Sequence, residues 1–315
     1  MKYNINIFDV GARYGVHESW QNLFKKGLCK YYAFEPEIDE YKNLEKKYKN
    51  ENLYHVQNIA FGNEVKTNYP LNIYKHHGYS SFLKVNENSE WFKRHGSSGE
   101  LESVQNVKMD TIDNYCKKKN IRCDFLKTDT EGYDLSVFEG ALNQLKNIIG
   151  IQCEAYFQET YFNAGMFNDV FAFLTNNGFI LLNFDYDGKG LSSNYFCVGN
   201  KYGTITELDT VFIKPIEMID KKGILKHAVF CFNNNASDLA LDSLKFAKLN
   251  GVSINLDKGE LLIEYLASKF LSVARKLQYS PYNVFQNAIS DYELIFESDF
   301  PHHHKFFSDI RFNPK

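Results

Sequence analysis

The sequence predicts an α/β fold in which a mostly parallel sheet ends in an antiparallel edge hairpin and is followed by a helical region. Up to about residue 200, short apolar runs alternate with stretches whose apolar residues recur every three or four positions, as strands alternating with helices do. Beyond about residue 215, only the helical period continues. We therefore expect two parts, a domain of residues 1–214 and an α-helical accessory region of residues 215–315.

The first predicted unit is a strand, a glycine-bracketed turn and a helix. The strand is Ile5–Val10, the turn runs from Gly11 to Gly15, and the helix ends at Gly27. Such a turn brings backbone N–H groups close to a ligand, at the positive end of a helix. Taken alone, the turn is equally compatible with a nucleotide- or nucleoside-binding loop and with an ordinary strand-to-helix connection.

The second predicted strand adds an acidic group to the same edge of the sheet. Residues 30–35 form this strand, which ends at Glu35, and Pro36 opens the following helix. In a doubly wound sheet, an acid at the end of the second strand lies where the diol of a ribose binds. The third strand is predicted at Leu53–Phe61.

The segment between residues 70 and 110 is predicted to hold two strands and a long loop. Pro70–His76 is a short strand with a polar turn after it, and Val104–Met109 alternates apolar and polar residues as a half-buried strand does. The residues between them, Val85–Glu102, lack periodicity. We predict a surface loop or lid there, because loops of this length tend to be functional or disordered.

The fourth and fifth predicted strands carry further carboxylates at their ends. Residues 124–128 have the pattern of a buried strand, and Asp129 and Glu131 follow it. The apolar residues between 135 and 148 keep the 3.6-residue period, which predicts one long helix. The fifth strand, Ile148–Tyr156, reaches Glu154 near its carboxyl end.

The sheet is predicted to end with a helix and a hairpin. Asp169–Asn176 is helical, and Phe179–Asp185 and Tyr195–Val198 are two strands joined by a turn rich in Gly and Asp. Three helices are then predicted, around residues 239–247, 261–277 and 282–296.

Composition and charge exclude several classes of function. The formal net charge is −3 and Lys and Arg are spread along the chain, so no basic stripe indicates a nucleic-acid partner. No apolar run approaches the ~18 residues of a membrane span, and the first strand leaves no room for a signal peptide. The six Cys are far apart and form no C-x-x-C pair, which is typical of reduced thiols. We therefore expect a cytoplasmic protein.

Polar motifs follow several of these strands, and together they resemble one family. The motifs are residues 8–15 (FDVGARYG), 33–36 (AFEP), 58–62 (NIAFG), 79–81 (YSS), 125–134 (FLKTDTEGYD) and 138–141 (FEGA). Over residues 5–200 the chain is similar to the FkbM family of class I S-adenosylmethionine-dependent methyltransferases. It departs from the family at Arg13, where Asn is usual, and at Asp134, where Glu is common.

The resemblance implies a Rossmann-like class I methyltransferase fold with a seven-stranded sheet that binds S-adenosylmethionine. The turn between Gly11 and Gly15 would hold the methionine end, Asp9 would lie near its ammonium group, and Glu35 would accept the ribose hydroxyls. The residues implied to bind the cofactor are Asp9, Gly11, Ala12, Arg13, Gly15, Glu35, Pro36, Asn58, Ile59 and Ala60.

A hydroxyl acceptor also needs a general base within hydrogen-bond reach. The candidates are the carboxylates of Asp129 and Glu131, with the imidazoles of His76 and His77 as alternatives. The candidate substrate-binding residues are Tyr79, Ser80, Ser81, Lys127, Glu154 and Tyr156. We predict no bound metal; because carboxylates suit hard cations, Mg²⁺ held by Asp129, Glu131 and Glu154 is an alternative that we favour less.

The resemblance implies an O-methyltransferase that moves the methyl group of S-adenosylmethionine to a hydroxyl of a small molecule. A sugar, and above all a nucleotide-activated sugar of the GDP-heptose type used in bacterial capsule or surface polysaccharide biosynthesis, is the expected acceptor. The alternative is a non-catalytic scaffold with the same fold in a glycan assembly complex. A dinucleotide-dependent dehydrogenase is disfavoured because the Gly-x-Gly-x-x-Gly spacing is absent. The C-terminal helices are expected to serve substrate specificity or homo-oligomer formation.

Overall fold

The computed structural model describes residues 5–185, 205–256, 260–277, 291 and 295–296. These residues form two compact units, one that extends to Pro215 and one that begins at Ile216. The roles that the sequence analysis gives to the two parts, cofactor binding for the first and an accessory function for the second, stay predictions.

Ten strands lie in the part of the first unit that the structure describes. They are β1 (Ile5–Val10), β2 (Cys29–Phe34), β3 (Tyr54–Gln57), β4 (Ala60–Phe61), β5 (Lys66–Tyr74), β6 (Leu101–Asp110), β7 (Phe125–Thr128), β8 (Gly150–Tyr156), β9 (Ile180–Asp185) and β10 (Glu207–Ile213). Six α-helices connect them: α1 (Glu18–Lys25), α2 (Ile38–Lys47), α3 (Glu90–His95), α4 (Ile112–Lys119), α5 (Asp134–Glu139) and α6 (Phe167–Asn176).

Seven of the strands form one sheet in the order β3-β2-β1-β7-β8-β10-β9. Neighbouring strands from β3 to β8 are parallel, and β10 is antiparallel to both β8 and β9. The predicted mostly parallel α/β sheet with an antiparallel hairpin at its edge is thus confirmed. The predicted second hairpin strand, Tyr195–Val198, lies outside the described residues, and β10 is the strand that pairs with β9.

The other three strands form a separate, smaller sheet in the order β4-β6-β5. The predicted third strand therefore divides: β3 belongs to the main sheet, and β4 pairs with β6 in the small sheet. The predicted surface loop contains α3, and its Trp91 is buried in an aromatic cluster with Tyr156 and Tyr161. The loop is packed because its two aromatic residues supply apolar area that water would otherwise contact.

The helix after β7 is shorter than the apolar period predicts, and the prediction of one long helix was wrong. Helix α5 ends at Glu139, and only a single 3₁₀ turn follows, at Gln144–Lys146. Gly140 lies against the backbone of Gly62, so closely that an added Cβ would stand 2.0 Å from the Gly62 carbonyl oxygen. This close contact between two backbones fixes the path of the chain after α5. The helical pattern of the residues that follow is not enough to continue the helix past it.

The centre of the main sheet is buried on both faces, as expected for parallel strands covered by helices. All four residues of β7 and most of those of β1 and β8 are buried. Trp20 of α1 is fully buried and stacks on Phe125 of β7 at a ring distance of 5.4 Å. The described Cys residues are free and buried, in agreement with the predicted reduced thiols.

The second unit is helical in the part that the structure describes. It contains α7 (Ile224–Asn233), α8 (Ser237–Leu249) and α9 (Leu261–Leu277), and α7 is a helix that the sequence analysis missed. The Tyr265 hydroxyl of α9 donates a hydrogen bond of 2.6 Å to Asn233 at the end of α7. The predicted helix at 282–296 lies almost entirely outside the described residues. Among the described helices, none has the length and apolar character to cross a membrane.

The carboxyl ends of β1 and β7 approach each other at a glycine. Gly11 follows β1 with φ at +81°, and a Cβ at this position would lie 1.9 Å from the backbone carbonyl oxygen of Asp129. Only glycine leaves room for that carbonyl, and only glycine adopts this φ without strain.

We predict that Gly11→Ala lowers the free energy of unfolding more than a left-handed φ alone would. The φ strain costs about 1–2 kcal/mol, and the overlap with the Asp129 carbonyl adds to it. Urea unfolding measures the difference. The matched control is Gly27→Ala, because Gly27 has φ at +67° and the nearest atom to an added Cβ is 3.9 Å away. Equal losses of stability in the two variants would contradict this account.

Candidate active site

A cavity of about 500 Å³ lies at the carboxyl ends of β1, β2 and β7. Most of the residues predicted for the site border it, which brings the cofactor and substrate candidates into one space. Those that line it are Asp9, Gly11, Arg13, Gly15, Glu35, Pro36, Ala60, His76, His77, Tyr79, Ser80, Ser81, Lys127, Asp129, Glu131 and Glu154. Four predicted residues lie behind this wall: Ala12, Asn58, Ile59 and Tyr156.

The turn after β1 gives the cavity its shape but not the free N–H groups that its sequence predicts. The amides of Gly11 and Ala12 donate to the Phe34 carbonyl at 3.0 and 3.2 Å. The amide of Tyr14 donates to the Glu40 carboxylate at 3.0 Å. These three donors fasten the turn to β2 and α2 and are not free for a ligand, while the predicted role of the turn in holding the cofactor stays a prediction.

A buried ammonium group joins the two strands at the floor of the cavity. The Nζ atom of Lys127 lies 3.3 Å from Asp9 Oδ1 and 3.2 Å from Asp129 Oδ2. Tyr31 donates its hydroxyl proton to the other oxygen of Asp9. Burial alone would lower the pKa of Lys127, but the carboxylates of Asp129 and Asp9 outweigh it and raise the pKa above its usual value. Lys127 is therefore a permanent cation whose charge is already balanced within the protein.

Glu35 occupies the end of β2 and is nearly fully buried. Its Oε1 accepts the backbone N–H of Glu37 at 2.9 Å and lies 4.0 Å from the Arg13 guanidinium. Burial raises the pKa of Glu35 to about 7, and the positive charge of Arg13 opposes this shift. Glu35 thus changes its charge near neutral pH.

The segment after β3 supports the site more than it lines it. The side-chain amide of Asn58 donates to the backbone carbonyls of Glu35 and Pro36, at 3.0 and 2.9 Å, and so fixes the end of β2. Ile59 packs against the main hydrophobic core. Of these three residues implied to bind the cofactor, Asn58, Ile59 and Ala60, only Ala60 lies on the cavity wall.

Three carboxylates meet at the other end of the cavity. Asp129, Glu131 and Glu154 each offer an oxygen, and these oxygens lie within 4.8 Å of one another. This spacing and chemistry suit a hard divalent cation. The Mg²⁺ alternative therefore fits the side chains that are present, although nothing in the structure favours it over the metal-free site.

Two tyrosines hold the inner carboxylates of this group. The Tyr156 hydroxyl lies 2.8 Å from Glu131 Oε2 and 2.5 Å from Glu154 Oε2, and the Tyr161 hydroxyl lies 2.8 Å from Glu131 Oε2. Burial and the neighbouring negative charges raise the pKa of Glu131 and of Glu154 well above their usual values. Asp129 differs from them because its side chain is 45% exposed and paired with Lys127.

A segment between β5 and β6, residues 76–82, supplies part of the cavity wall. The rings of His76 and Tyr79 lie 4.3 Å apart with a tilt of 33°, and the carbonyl of Tyr79 accepts the Tyr161 hydroxyl at 3.0 Å. The Ser81 hydroxyl donates to the backbone carbonyl of Glu131 at 2.7 Å. The predicted Tyr-Ser-Ser motif thus spans the cavity and ties this segment to the loop after β7.

His77 is held by two carboxylates that the sequence analysis did not assign to the site. Its Nδ1 lies 2.8 Å from Glu37 Oε1 and its Nε2 lies 3.0 Å from Glu102 Oε2. Glu37 is buried and also binds Arg13. Because both ring nitrogens are engaged, the geometry favours His76 over His77 as the histidine alternative for a base.

The sequence analysis missed several residues of the site, among them three that hold its side chains in place: Glu37, Glu102 and Tyr161. Glu37 carries a signal, because a second acid follows Glu35-Pro36 directly after a strand end. Glu102 and Tyr161 carry none, since their roles depend on contacts between segments far apart in sequence.

Comparison with known proteins gives one family and a distant structural likeness. The sequence model of the family described as "Methyltransferase FkbM domain" matches residues 9–181. No curated protein matches the chain. Among solved structures, a precorrin-6y C5,15-methyltransferase from Geobacter metallireducens GS-15 is similar at 9% sequence identity, with a TM-score of 0.31 and coverage of 68% of this chain and 82% of the other.

We predict that Lys127→Met destabilises the protein by about 3 kcal/mol, because it leaves the buried Asp9 carboxylate without its counter-charge. The double variant Asp9→Asn/Lys127→Met removes both charges and should recover most of that loss. Urea unfolding of the two variants and the wild type checks this. If the single variant were no less stable than the double, Lys127 would not balance Asp9.

Proposed function

The chain belongs to the FkbM methyltransferase family, and we propose that it is an S-adenosylmethionine-dependent O-methyltransferase whose acceptor is a sugar hydroxyl. The proposal rests on one observation: a single cavity has one half that is suited to bind a nucleoside and another half that is lined by carboxylates. The half beside the β1 turn has Asp9 and Glu35, and the other half has Asp129 at its border.

The first half of the cavity fits S-adenosylmethionine in its chemistry, and the cavity as a whole has the size of a small-molecule site. A volume of about 500 Å³ is in the range of small-molecule sites. Ala60, Phe61 and Leu71 offer an apolar wall for a purine. The buried Glu35 carboxylate suits a ribose diol, and Asp9, whose charge Lys127 balances, lines the same half. Gly11 and Gly15 line this half, and Arg13 acts through Glu35 and Glu37.

The bound cofactor supplies an electrophilic methyl group, and the chain must align the acceptor and remove a proton. Alignment and proximity supply much of the acceleration of such a transfer. Asp129 is the carboxylate best placed to accept the proton, because it borders the cavity and its side chain is 45% exposed, whereas Glu131 and Glu154 are held by tyrosine hydroxyls. The raised pKa values of Glu131 and Glu154 make these groups poorer bases near neutral pH.

The acceptor half is lined by groups that bind polyols. Ser80, Ser81, Glu131 and Glu154 offer hydroxyl and carboxylate oxygens, and Tyr79 offers an aromatic ring. These groups and the family support a sugar acceptor. We extend the proposal to a nucleotide-activated sugar of the GDP-heptose type, made for a bacterial capsule or other surface polysaccharide. A screen of nucleotide sugars, in which mass spectrometry detects the gain of one methyl group, tests it.

We predict that Asp129→Asn lowers turnover at least about 100-fold, the low end of what a general base contributes. Its affinity for S-adenosylmethionine should stay within a few-fold of the wild type, because Asp129 lies at the acceptor end. Methyl transfer measured by mass spectrometry and cofactor affinity measured by calorimetry separate the two effects.

The control for this variant is Glu139→Gln, an exposed carboxylate on α5 that does not line the cavity. Activity retained in Asp129→Asn would shift the assignment to His76 or His77. Loss of wild-type activity in EDTA, restored by Mg²⁺, would favour the metal alternative. If S-adenosylmethionine does not bind at millimolar concentration, the proposal of an enzyme is contradicted and the non-catalytic scaffold remains as the alternative.

We also predict that cofactor affinity increases with pH around neutrality. Glu35 has a pKa of about 7 in the cofactor-free protein, and only its ionised form accepts both ribose hydroxyls. Affinity should therefore rise as pH increases from 6 to 8, and the pH dependence should be absent in Glu35→Gln. Calorimetry at several pH values measures it. A pH dependence unchanged in Glu35→Gln would exclude Glu35 as its origin.

A further inference from the structure

The segment that closes the cavity is fastened differently at its two ends. We call residues 77–80, between His76 and Ser81, the strap. At the Ser81 end the attachment is buried, because Ser81 exchanges two backbone hydrogen bonds with Asn72, of 2.9 and 3.1 Å, and also binds the Glu131 carbonyl. At the other end, His76 donates its backbone N–H to the Ser98 carbonyl at 3.0 Å, and the side chain of His77, which is 44% exposed, rests on Glu37 and Glu102.

The tip of the strap reaches the turn after β1 across the mouth of the cavity. A Cβ built on Gly78 would lie 3.6 Å from the hydroxyl of Tyr14, whose side chain is 69% exposed. Tyr14 belongs to the turn that the cofactor is expected to contact. The strap and this turn therefore meet over the nucleoside-like half of the cavity.

Hydrogen-bond counting fixes the charge of the ring that fastens the strap. A neutral imidazole has a single N–H donor, and carboxylate oxygens only accept. The contacts of 2.8 Å to Glu37 and 3.0 Å to Glu102 can both be hydrogen bonds only if the His77 ring carries two protons. Loss of one proton would leave a nitrogen lone pair facing a carboxylate, which is repulsive.

We propose that the strap is a latched cover of the cofactor half, and that its His77 end stays closed only while the His77 ring is doubly protonated. Release of that end opens the passage between Gly78 and Tyr14, through which the cofactor and its demethylated product would exchange. The proposal assumes the cofactor site proposed above, but the latch itself exists in the cofactor-free protein.

The charged groups around His77 are consistent with this assignment. Burial lowers the pKa of His77, but Glu37 and Glu102 outweigh burial and raise it above the usual value, while Arg13 opposes them. The latch is therefore complete at acidic pH and is lost as pH rises through the raised pKa of His77. Glu37 connects the latch to the site, because the same carboxylate also binds Arg13 of the β1 turn.

Glu102→Gln is the variant that tests the latch, because Glu102 contacts His77 and does not line the cavity. Its matched control is Glu100→Gln, which removes another half-exposed carboxylate two residues earlier, one that is paired with Lys75 at 2.5 Å. In the cofactor-free protein, NMR titration should show the midpoint of His77 lowered by about half a unit in Glu102→Gln and unchanged in Glu100→Gln. Amide hydrogen exchange of residues 78–80 should be faster in Glu102→Gln at the same pH.

The second measurement is the dissociation rate of S-adenosylmethionine, followed by stopped flow as a function of pH. In the wild type, the rate should increase through the midpoint of His77, and in Glu102→Gln this increase should move to lower pH together with that midpoint. Near neutral pH the variant should release the cofactor about threefold faster. Glu35 ionises in both proteins alike, so its effect does not shift with the variant.

Equal His77 midpoints and equal strap exchange in the Glu102→Gln and Glu100→Gln variants would overturn the latch. A shifted midpoint with unchanged cofactor dissociation would overturn its function as a cover. If S-adenosylmethionine does not bind at all, the proposed function fails, and the NMR and exchange measurements still decide whether the latch exists.

Discussion

The ion pair between Asp9 and Lys127 follows from the register of two neighbouring strands, and the geometry of the cavity depends on it. These residues are direct partners across the parallel β1–β7 pair. Side chains two positions apart along a strand share a face, so Asp129 comes to the same side as Lys127. On β1, Gly11 lies two positions after Asp9. Because it has no side chain, the backbone carbonyl of Asp129 can pack directly against it. The register of β1 against β7 thus fixes the positions of the residues at the floor of the cavity.

This arrangement gives different roles to acidic residues that look alike in the sequence. Among the acids that line the cavity, Asp9 is neutralised by Lys127, Glu35 lies in the half proposed for the cofactor, and Asp129 borders the half proposed for the acceptor. Glu131 and Glu154 are held by tyrosine hydroxyls at the inner wall. Differences in burial and partners, and not residue type, distinguish a paired structural charge from a group that can exchange a proton.

The main sheet and most of the cavity wall were predictable because they depend on local patterns. The carboxyl ends of successive parallel strands must share one edge, so the positions of Glu35 and Asp129 follow from the order of strands and helices. Features decided by contacts between distant segments were not predictable. Helix α5 ends where Gly140 contacts Gly62. The backbone amides of the β1 turn donate hydrogen bonds to Phe34 and Glu40. The two carboxylates that bind His77 come from two separate segments of the chain.

The shared carboxylate of Glu37 has a consequence for how the sequence can change. It receives Arg13 on one oxygen and His77 on the other, so neither partner can be replaced without altering the environment of the other. An Asn at position 13, as the family resemblance implies, would leave the buried Glu37 with one cation fewer. Positions 13, 37 and 77 should therefore be inherited as a set, and a relative that lacks the arginine is expected to have substituted its partners as well.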